Sequence, residues 1–169
     1  RLKLQLAMQD DTEDTRAARR DVDEMEAMLT GYLDFARGMG SEKPDTVRLS
    51  DFLQQTLKGR DDVTVTEFAD RDLEIRPLML QRALGNLINN ARKYGKNCVL
   101  SVTEASDFLY FHVDDDGPGI APEQRSQVFK AFQRLGGARN QNIEGVGLGL
   151  SIAQDIAQLH GGTVLLSDS

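Results

Sequence analysis

Apolar residues in the first 36 positions recur at steps of three and four, the spacing that places them on one face of a helix. The clearest part of this repeat consists of Ala18, Val22, Met25, Leu29, Tyr32 and Ala36. An acidic break at residues 10–14 carries side chains typical of helix caps, so a turn is expected there. The pattern predicts an antiparallel helical hairpin.

Two helices cannot close a hydrophobic core alone, so the apolar stripe of this hairpin needs a partner. A second copy of the hairpin would complete a dimeric four-helix bundle, which is the economical solution. A helical subdomain that covers the following domain is the alternative. Glycines and a proline at residues 38–44 then predict a linker. We therefore place the hairpin at residues 1–38, a linker at 39–46 and a second domain at 47–169.

In the second domain, apolar spacing alternates between the strand period of two and the helix period of 3.6. Helices are predicted from Ser50, as an N-cap, to Leu57, from Pro77 to about Tyr94, and over 122–128 and 150–160. Strands are predicted at 63–66, 73–75, 98–104, 108–114 and 163–166. Strands in hairpins mixed with helices indicate an α+β fold with a two-layer α/β sandwich.

Composition narrows the class of protein. With 40% hydrophobic residues and no apolar run near the ~20 residues of a membrane helix, neither a span nor a signal peptide is expected. A net charge of -7 argues against nucleic acid as the partner. The single cysteine, Cys98, excludes an intrachain disulfide and a multi-cysteine zinc site. Because the chain begins at Arg1 and stops inside a predicted strand, we expect it to be part of a longer protein.

Residues 145–150 (GVGLGL) are the first candidate for binding chemistry. Three alternate glycines that run into a helix expose main-chain N–H groups at its positive end, which suits a polyphosphate. The run is not a P-loop, because no Gly-Lys-Ser/Thr ending follows. A plain hinge is the alternative. The preceding residues 133–144 are polar with few apolar anchors, so a mobile lid is expected there.

Two further clusters suit the rest of a nucleotide. Asn86, Asn90 and Lys93 fall on one helix face and offer amide oxygens for Mg²⁺ and a cation for phosphate, although a solvated face would look the same. Asp115 ends a predicted strand, where its carboxylate can accept the exocyclic amine of adenine and reject guanine. Gly117 and Gly119 let main chain approach a flat ligand. A simple acidic turn is the alternative.

Four segments in this order resemble the N box, first glycine box, F box and second glycine box of bacterial sensor histidine kinases. They are residues 86–94 (NLINNARKY), 115–120 (DDGPGI), 129–132 (FKAF) and 145–150 (GVGLGL). Residues 1–36 resemble the end of the first helix and all of the second helix of the family's dimerization and phosphotransfer hairpin, of the EnvZ type. The remainder resembles its ATP-binding domain, which has the Bergerat fold shared with HSP90, gyrase B and MutL.

The resemblance implies ATP and Mg²⁺ as cofactors. It places Asp115 on the adenine amine, Asn90 on Mg²⁺, and Arg134 on the γ-phosphate, with Asn90 and Arg134 as the catalytic pair. Helical phase alone does not separate Asn89 from Asn90; the family pattern selects Asn90. The implied ATP-binding set is Asn86, Asn90, Lys93, Tyr94, Asp115, Gly117, Gly119, Ile120, Phe132, Gly145, Gly147, Leu148, Gly149 and Leu150. Ala131, where the family often has proline, is a departure.

The family transfers the γ-phosphoryl group of ATP to a histidine on the first hairpin helix, upstream of this chain. Neither His112, in a predicted strand, nor His160, in the last turn of a helix, is expected to be that acceptor. The resemblance implies the cytoplasmic catalytic core of an inner-membrane sensor kinase, joined to the membrane only through upstream segments. It also implies a homodimer and a response-regulator receiver domain as partners.

Two alternatives remain. An ATP-binding pseudokinase or dimerization scaffold would keep every box, and only the residue at the upstream acceptor position would distinguish it. An ATPase of the HSP90 or MutL type predicts a hydrolytic glutamate on the Asn-bearing helix. Residues 77–94 contain no glutamate, so that hypothesis ranks lower.

Overall fold

The fold was analysed in a computed structural model. It describes residues 42–131 without 67 and 107, residues 147–167, and positions 12, 13, 15, 16, 18, 19 and 22. The strands are β1 (Asp45–Arg48), β2 (Val63–Val65), β3 (Asp72–Ile75), β4 (Cys98–Ala105) and β5 (Phe108–Asp115). The helices are α1 (Leu49–Thr56), α2 (Pro77–Tyr94), α3 (Pro122–Arg125) and α4 (Gly149–Leu159).

The strands form two groups. In the larger one β4 lies between β2, to which it is parallel, and β5, to which it is antiparallel. The β4–β5 register runs from Ala105 opposite Phe108 to Cys98 opposite Asp115, so Asp115 ends its strand beside the start of β4. The smaller group is the antiparallel pair of β1 and β3.

One hydrophobic core lies between the strands and helices α1 and α2. Its most deeply buried members are Leu49, Ile88 and Leu100, each 0% exposed. Strand residues contribute alternate side chains to this core, and the helices contribute one face each. The arrangement confirms a mixed α/β fold with helices packed on a sheet.

A second core joins α2 to α4. Met79 and Ala83 of α2 contact the buried face of α4, which includes Ile152, Ala153 and Ile156. Helix α2 is therefore packed on two sides, against the strands and against α4. This double packing fixes the helix that carries four of the predicted site residues, Asn86, Asn90, Lys93 and Tyr94.

The start of α1 differs from the prediction. The helix begins at Leu49 with Arg48 at the cap position, so Ser50 is not the N-cap. The carboxylate of Asp70 instead accepts hydrogen bonds from Ser50 N (2.9 Å) and Ser50 Oγ (3.0 Å). Because this cap comes from 20 residues along the chain, local sequence does not reveal it.

Strand β1 begins inside the segment predicted as linker. Asp45 and Thr46 pair with Ile75 and Glu74 of β3. Just before them, the Glu42 carboxylate accepts hydrogen bonds from the main-chain N–H groups of the first turn of α2. The division at residues 38 and 46 stays a prediction, but the described end of the linker is packed on the second domain.

The strand predicted at residues 163–166 does not form. Val164 N donates to the Gln154 side-chain oxygen at 2.8 Å, and the Leu166 carbonyl accepts from Arg125 Nη1 at 3.4 Å. These backbone groups are thus bonded to side chains. Helix α3 is also shorter than predicted, since it ends at Arg125 and turns follow.

In the N-terminal region, the described positions 13, 15, 16, 18, 19 and 22 are helical. Thr12 Oγ1 accepts a hydrogen bond from Thr15 N at 3.2 Å, which is an N-cap within the predicted acidic break. The hairpin as a unit and the lid at 133–144 lie outside the described residues. No helix within the described part is long and apolar enough to cross a membrane.

Candidate nucleotide site

Helix α2 presents Asn86, Asn90 and Tyr94 at successive steps of four residues, so they lie along one face. Asn86 Nδ2 is buried and has no hydrogen-bond partner within the described chain. Asn90 is half-buried, and its amide also makes no hydrogen bond there. Two amides on one face are thus free to bind a ligand, while the opposite side of the helix is packed in the core.

The start of α4 lies against Asn86. A Cβ at Gly149 would be 3.7 Å from the Cβ of Asn86, which is ordinary contact. Leu148, at the cap position, is 8% exposed and anchors this turn in the second core. Gly147 has φ +73°, which favours glycine. No described side chain caps the N–H groups of Gly149 and Leu150, so they remain available at the positive end of the helix.

Asp115 lies at the other end of this face. Its Oδ1 accepts a hydrogen bond from Gly117 N at 2.8 Å, and its second oxygen makes no hydrogen bond among the described residues. That oxygen can accept an amine from a ligand. Gly119, with φ +68°, turns the chain away two residues later. Asp115 is therefore half-buried at the end of β5, and its role as an acceptor stays a prediction.

The loop after β5 touches the end of α2. A Cβ at Gly117 would lie 2.6 Å from Asp115 Oδ1 and 3.0 Å from the Tyr94 carbonyl oxygen, so only glycine fits. A Cβ at Gly95 would lie 2.8 Å from Asp116 Oδ1. Two glycines thus allow two stretches of main chain to meet where Asp115 and Tyr94 are found.

Lys93 and Tyr94 complete this end. The Lys93 ammonium lies 5.2 Å from the centre of the Tyr94 ring, a cation–π distance, and Tyr94 is 47% exposed. A shallow cavity of about 460 Å³ adjoins it, lined by Asp62, Asn89, Arg92, Lys93 and Lys96. Only Lys93 belongs to the predicted set. We give the cavity less weight than the Asn86 face, because its lining side chains are mostly exposed.

The structure brings together two groups of predicted residues on one helix: Asn86 with Gly149, and Tyr94 with Asp115 and Gly117. Asn90 lies between them. Ile120 and Leu150 are half-buried in the two flanking segments. The remaining predictions, Phe132, Arg134 and Gly145, lie outside the described residues.

Sequence reasoning missed Asp116. Its carboxylate accepts three hydrogen bonds, from Lys96 N (2.6 Å), Asn97 N (2.9 Å) and Asn97 Nδ2 (2.7 Å). The main-chain bonds from Asn97 and Lys96 lower the pKa of Asp116. These bonds therefore stabilise the fold above the ordinary carboxyl pKa and are lost as the pH falls through the lowered value. The only sign of this role in the sequence was an acidic residue between Asp115 and Gly117.

The two histidines do not belong to this face. His112 is exposed, lies 2.7 Å from Thr103 Oγ1 and stacks on Tyr110. His160 Nδ1 donates to the Ile156 carbonyl, since a carbonyl can only accept, and Nε2 accepts from Arg76 N at 3.1 Å. His160 therefore joins the end of α4 to the start of α2.

Comparison with known proteins decides the family. Residues 75–169 match the family described as histidine kinase-, DNA gyrase B- and HSP90-like ATPase. The chain belongs to this ATPase family. The matched region contains every described residue of the candidate face, so family membership supports ATP use at this site.

Two sensor proteins have sequences similar to this chain. The sensor histidine kinase GtrS of Pseudomonas aeruginosa is 36% identical over 99% of this chain and 36% of its own length. The sensor protein RstB of Escherichia coli is 34% identical over 97% of this chain and 41% of its own length. The chain thus spans less than half of the length of these relatives.

Among solved structures, the histidine kinase domain of the E. coli osmosensor EnvZ is 34% identical. The match covers 77% of this chain and 84% of that one, with a TM-score of 0.56. This likeness confirms the mixed α/β fold of the ATPase domain.

Proposed function

We propose that this chain is the catalytic core of a sensor histidine kinase, which binds Mg-ATP and transfers its γ-phosphoryl group to a histidine upstream. The observation that carries the proposal is the buried Nδ2 of Asn86, which has no hydrogen-bond partner among the described residues and lies beside the N-terminus of α4. A buried donor without a partner costs about 1–3 kcal/mol. A bound phosphate oxygen would remove that cost.

The N-terminus of α4 adds a second attraction for phosphate. Its first N–H groups have no intrahelical acceptor, and the helix dipole favours negative charge there. Phosphate binding is therefore favoured both by Asn86 and by the turn at Gly147, Leu148 and Gly149. Because the chain has a net charge of -7, an anion would need such local donors to bind.

At the C-terminal end of α2, Asp115 selects the base through the oxygen that makes no hydrogen bond among the described residues. A carboxylate accepts the exocyclic amine of adenine, but it would meet the carbonyl oxygen of guanine at the same position. The Tyr94 main-chain carbonyl lies close to Gly117 in the same loop, and the Tyr94 side chain is exposed, so its ring is available to cover the base. The face from Asn86 to Tyr94 spans eight residues, or about 12 Å of helix at 1.5 Å per residue. That length suits a nucleotide whose base and phosphates lie at opposite ends.

Asn90, between these ends, fits a Mg²⁺ ligand, because its amide oxygen is a hard donor for which the described residues supply no other partner. Bound Mg²⁺ would neutralise charge on the phosphates during phosphoryl transfer. Asn90 would orient the ion, Asn86 and the α4 N-terminus would orient the phosphates, and Lys93 would add positive charge. Arg134, proposed for the γ-phosphate, lies outside the described residues.

The whole protein's activity is proposed by likeness to relatives named sensor histidine kinases. In this proposal, residues 1–38 form half of a dimeric four-helix bundle. A response-regulator aspartate receives the phosphoryl group, and upstream segments connect this cytoplasmic core to the inner membrane.

The direct test uses the full-length protein with γ-labelled ATP and Mg²⁺. We expect phosphate that is stable in base and labile in acid, as on a histidine, and its transfer to a receiver domain. The matched control replaces the acceptor histidine with glutamine, and labelling should disappear. If the wild-type protein binds ATP but never becomes labelled, the kinase proposal is wrong and a pseudokinase scaffold is the better account.

A hydrolase of the HSP90 or MutL type is less well supported. Helix α2 carries Asn86 and Asn90 but no glutamate that could activate water. Steady ATP hydrolysis without a phosphoprotein intermediate would favour that class instead.

A further inference from the structure

Asp116 joins two segments that lie on either side of the proposed base pocket. One is the loop after β5, which contains Asp115 and Gly117. The other is the turn after α2, whose Lys96 N, Asn97 N and Asn97 Nδ2 all donate to the Asp116 carboxylate at 2.6–2.9 Å. A single side chain therefore closes a contact between residues about 20 positions apart.

The contact is tight at the main chain as well. The Gly95 Cα approaches Asp115 so closely that a Cβ on it would lie 3.2 Å from the Asp115 Cβ. On the other side, a Cβ on Gly117 would lie 3.0 Å from the Tyr94 carbonyl. Asp115 and Tyr94 are thus neighbours of the residues that Asp116 ties together. Their separation depends on the distance between these two segments.

We propose that Asp116 is a positioning residue for the nucleotide base: it sets the spacing between the Asp115 carboxylate and the Tyr94 ring. The inference rests on the proposed ATP site and adds a residue that does not itself touch the nucleotide. Both carboxylate oxygens of Asp116 already accept hydrogen bonds from Lys96 and Asn97, so we do not assign Asp116 as a second acceptor for the base. Its effect on binding passes through the geometry of Asp115 and Tyr94.

The chain offers a matched control for this role. Asp70 is also a carboxylate near the surface, and it accepts hydrogen bonds from Ser50 N, Ser50 Oγ and Arg48 Nε. Desolvation raises the pKa of Asp70, but its hydrogen bonds to Ser50 and Arg48 together outweigh that effect, so the pKa of Asp70 is lowered, as is that of Asp116. Asp70, however, joins α1 to the segment before β3, and its hydrogen bonds among the described residues go to Arg48 and Ser50, outside the candidate face. We expect its removal to destabilise the fold and to leave the base pocket unchanged.

The experiment measures the Kd of a non-hydrolysable ATP analogue and of the matching GTP analogue, alongside thermal unfolding, for the wild-type chain and its variants. Asp116→Ala should weaken ATP-analogue binding by about tenfold and reduce the preference for adenine, since one or two interactions are misplaced. Asp116→Asn should stay within about threefold of wild type, because its amide oxygen still accepts from the main chain. Asp70→Ala should lower the melting temperature yet leave the Kd within about twofold.

Asn97→Ala gives a milder variant that removes only the Nδ2 donor, and it keeps the test decisive if Asp116→Ala does not fold. We expect a loss of about threefold in ATP-analogue affinity. Unchanged affinity and selectivity in Asp116→Ala, or in Asn97→Ala if the former is unfolded, would overturn the inference. An equal loss in Asp70→Ala would do the same. If the folded wild-type chain binds no nucleotide, the proposed function itself fails.

Discussion

The N-termini of α2 and α4 differ in what binds their first main-chain N–H groups. At α2, the Glu42 carboxylate accepts hydrogen bonds from Leu78 N at 2.8 Å and Met79 N at 2.9 Å. The protein thus supplies its own anion to the positive end of this helix. At α4, no described carboxylate occupies the corresponding position, and the first turn contains no acidic residue.

The difference separates a structural helix start from one that is available to a ligand. Two more hydrogen bonds occupy the start of α2. His160 Nε2 accepts from Arg76 N, and the Arg76 guanidinium donates to the Glu42 carbonyl. The α4 start instead has Asn86 as its neighbour, whose Nδ2 has no hydrogen-bond partner in the described part of the chain. Two helices with similar apolar faces therefore differ in the role of their N-termini, and the groups that cap each N-terminus indicate this difference.

The largest effect should come from giving α4 the anion that α2 already has. Gly149→Asp would place a carboxylate at the first turn of α4, where its Cβ would make an ordinary contact of 3.7 Å with the Asn86 Cβ. Repulsion of the phosphates should weaken binding of an ATP analogue by about a hundredfold. Gly149→Ala is the control and should cost less than about tenfold. Equal effects of the two variants would show that charge at this position is irrelevant. The measurement is calorimetric titration.

Asp115→Asn tests the opposite end of the site. An amide still accepts at its oxygen, but it loses the charge, so ATP-analogue affinity should fall by about tenfold. The preference over a GTP analogue should fall with it. Competition titration with both nucleotides measures this change, and retained selectivity would refute the assignment of Asp115 to the base.

A smaller and more specific effect is expected from Asn90→Ala. The variant should keep its fold and its binding of the metal-free nucleotide, but lose most of the gain in affinity that Mg²⁺ provides, about tenfold. Asn89→Ala, one position away on an exposed part of the helix, is the matched control. Should Asn89 rather than Asn90 abolish the metal effect, the assignment taken from the family pattern is wrong.

The smallest effect on binding should follow Glu42→Ala, which opens the α2 start. Loss of this cap should lower the free energy of unfolding by about 1–2 kcal/mol. ATP-analogue affinity should change by less than about twofold, since Glu42 is remote from the phosphate end. Chemical denaturation and titration of the same sample separate the two quantities. A large loss of affinity would mean that the two helix starts are coupled.

The elements that sequence predicted well are those with long periodic patterns. Helix α2 was expected from Pro77 to Tyr94 and has those ends, and β4 and β5 differ from expectation by a residue each. Strand β1 was not predicted, because its four residues are mostly exposed and it forms by pairing with β3. The predicted strand after Gly162 failed because Gln154 and Arg125 take its backbone groups.

The site divides in the same way. Asn86, Asp115 and Gly149 carry their chemistry in short motifs, so they could be named from sequence. Glu42, Asp70 and Asp116 act through hydrogen bonds across 19 to 37 positions, which no local pattern encodes. The roles assigned to the motif residues stay proposals until a nucleotide is bound.

The measurement that tests the central claim most directly is calorimetric titration of the wild-type chain with a non-hydrolysable ATP analogue, with and without Mg²⁺. We predict saturable binding at one site, tightened by Mg²⁺ and at least about tenfold stronger than that of the GTP analogue. A folded chain that shows no binding at millimolar nucleotide would contradict the account. The open start of α4 would then need another explanation.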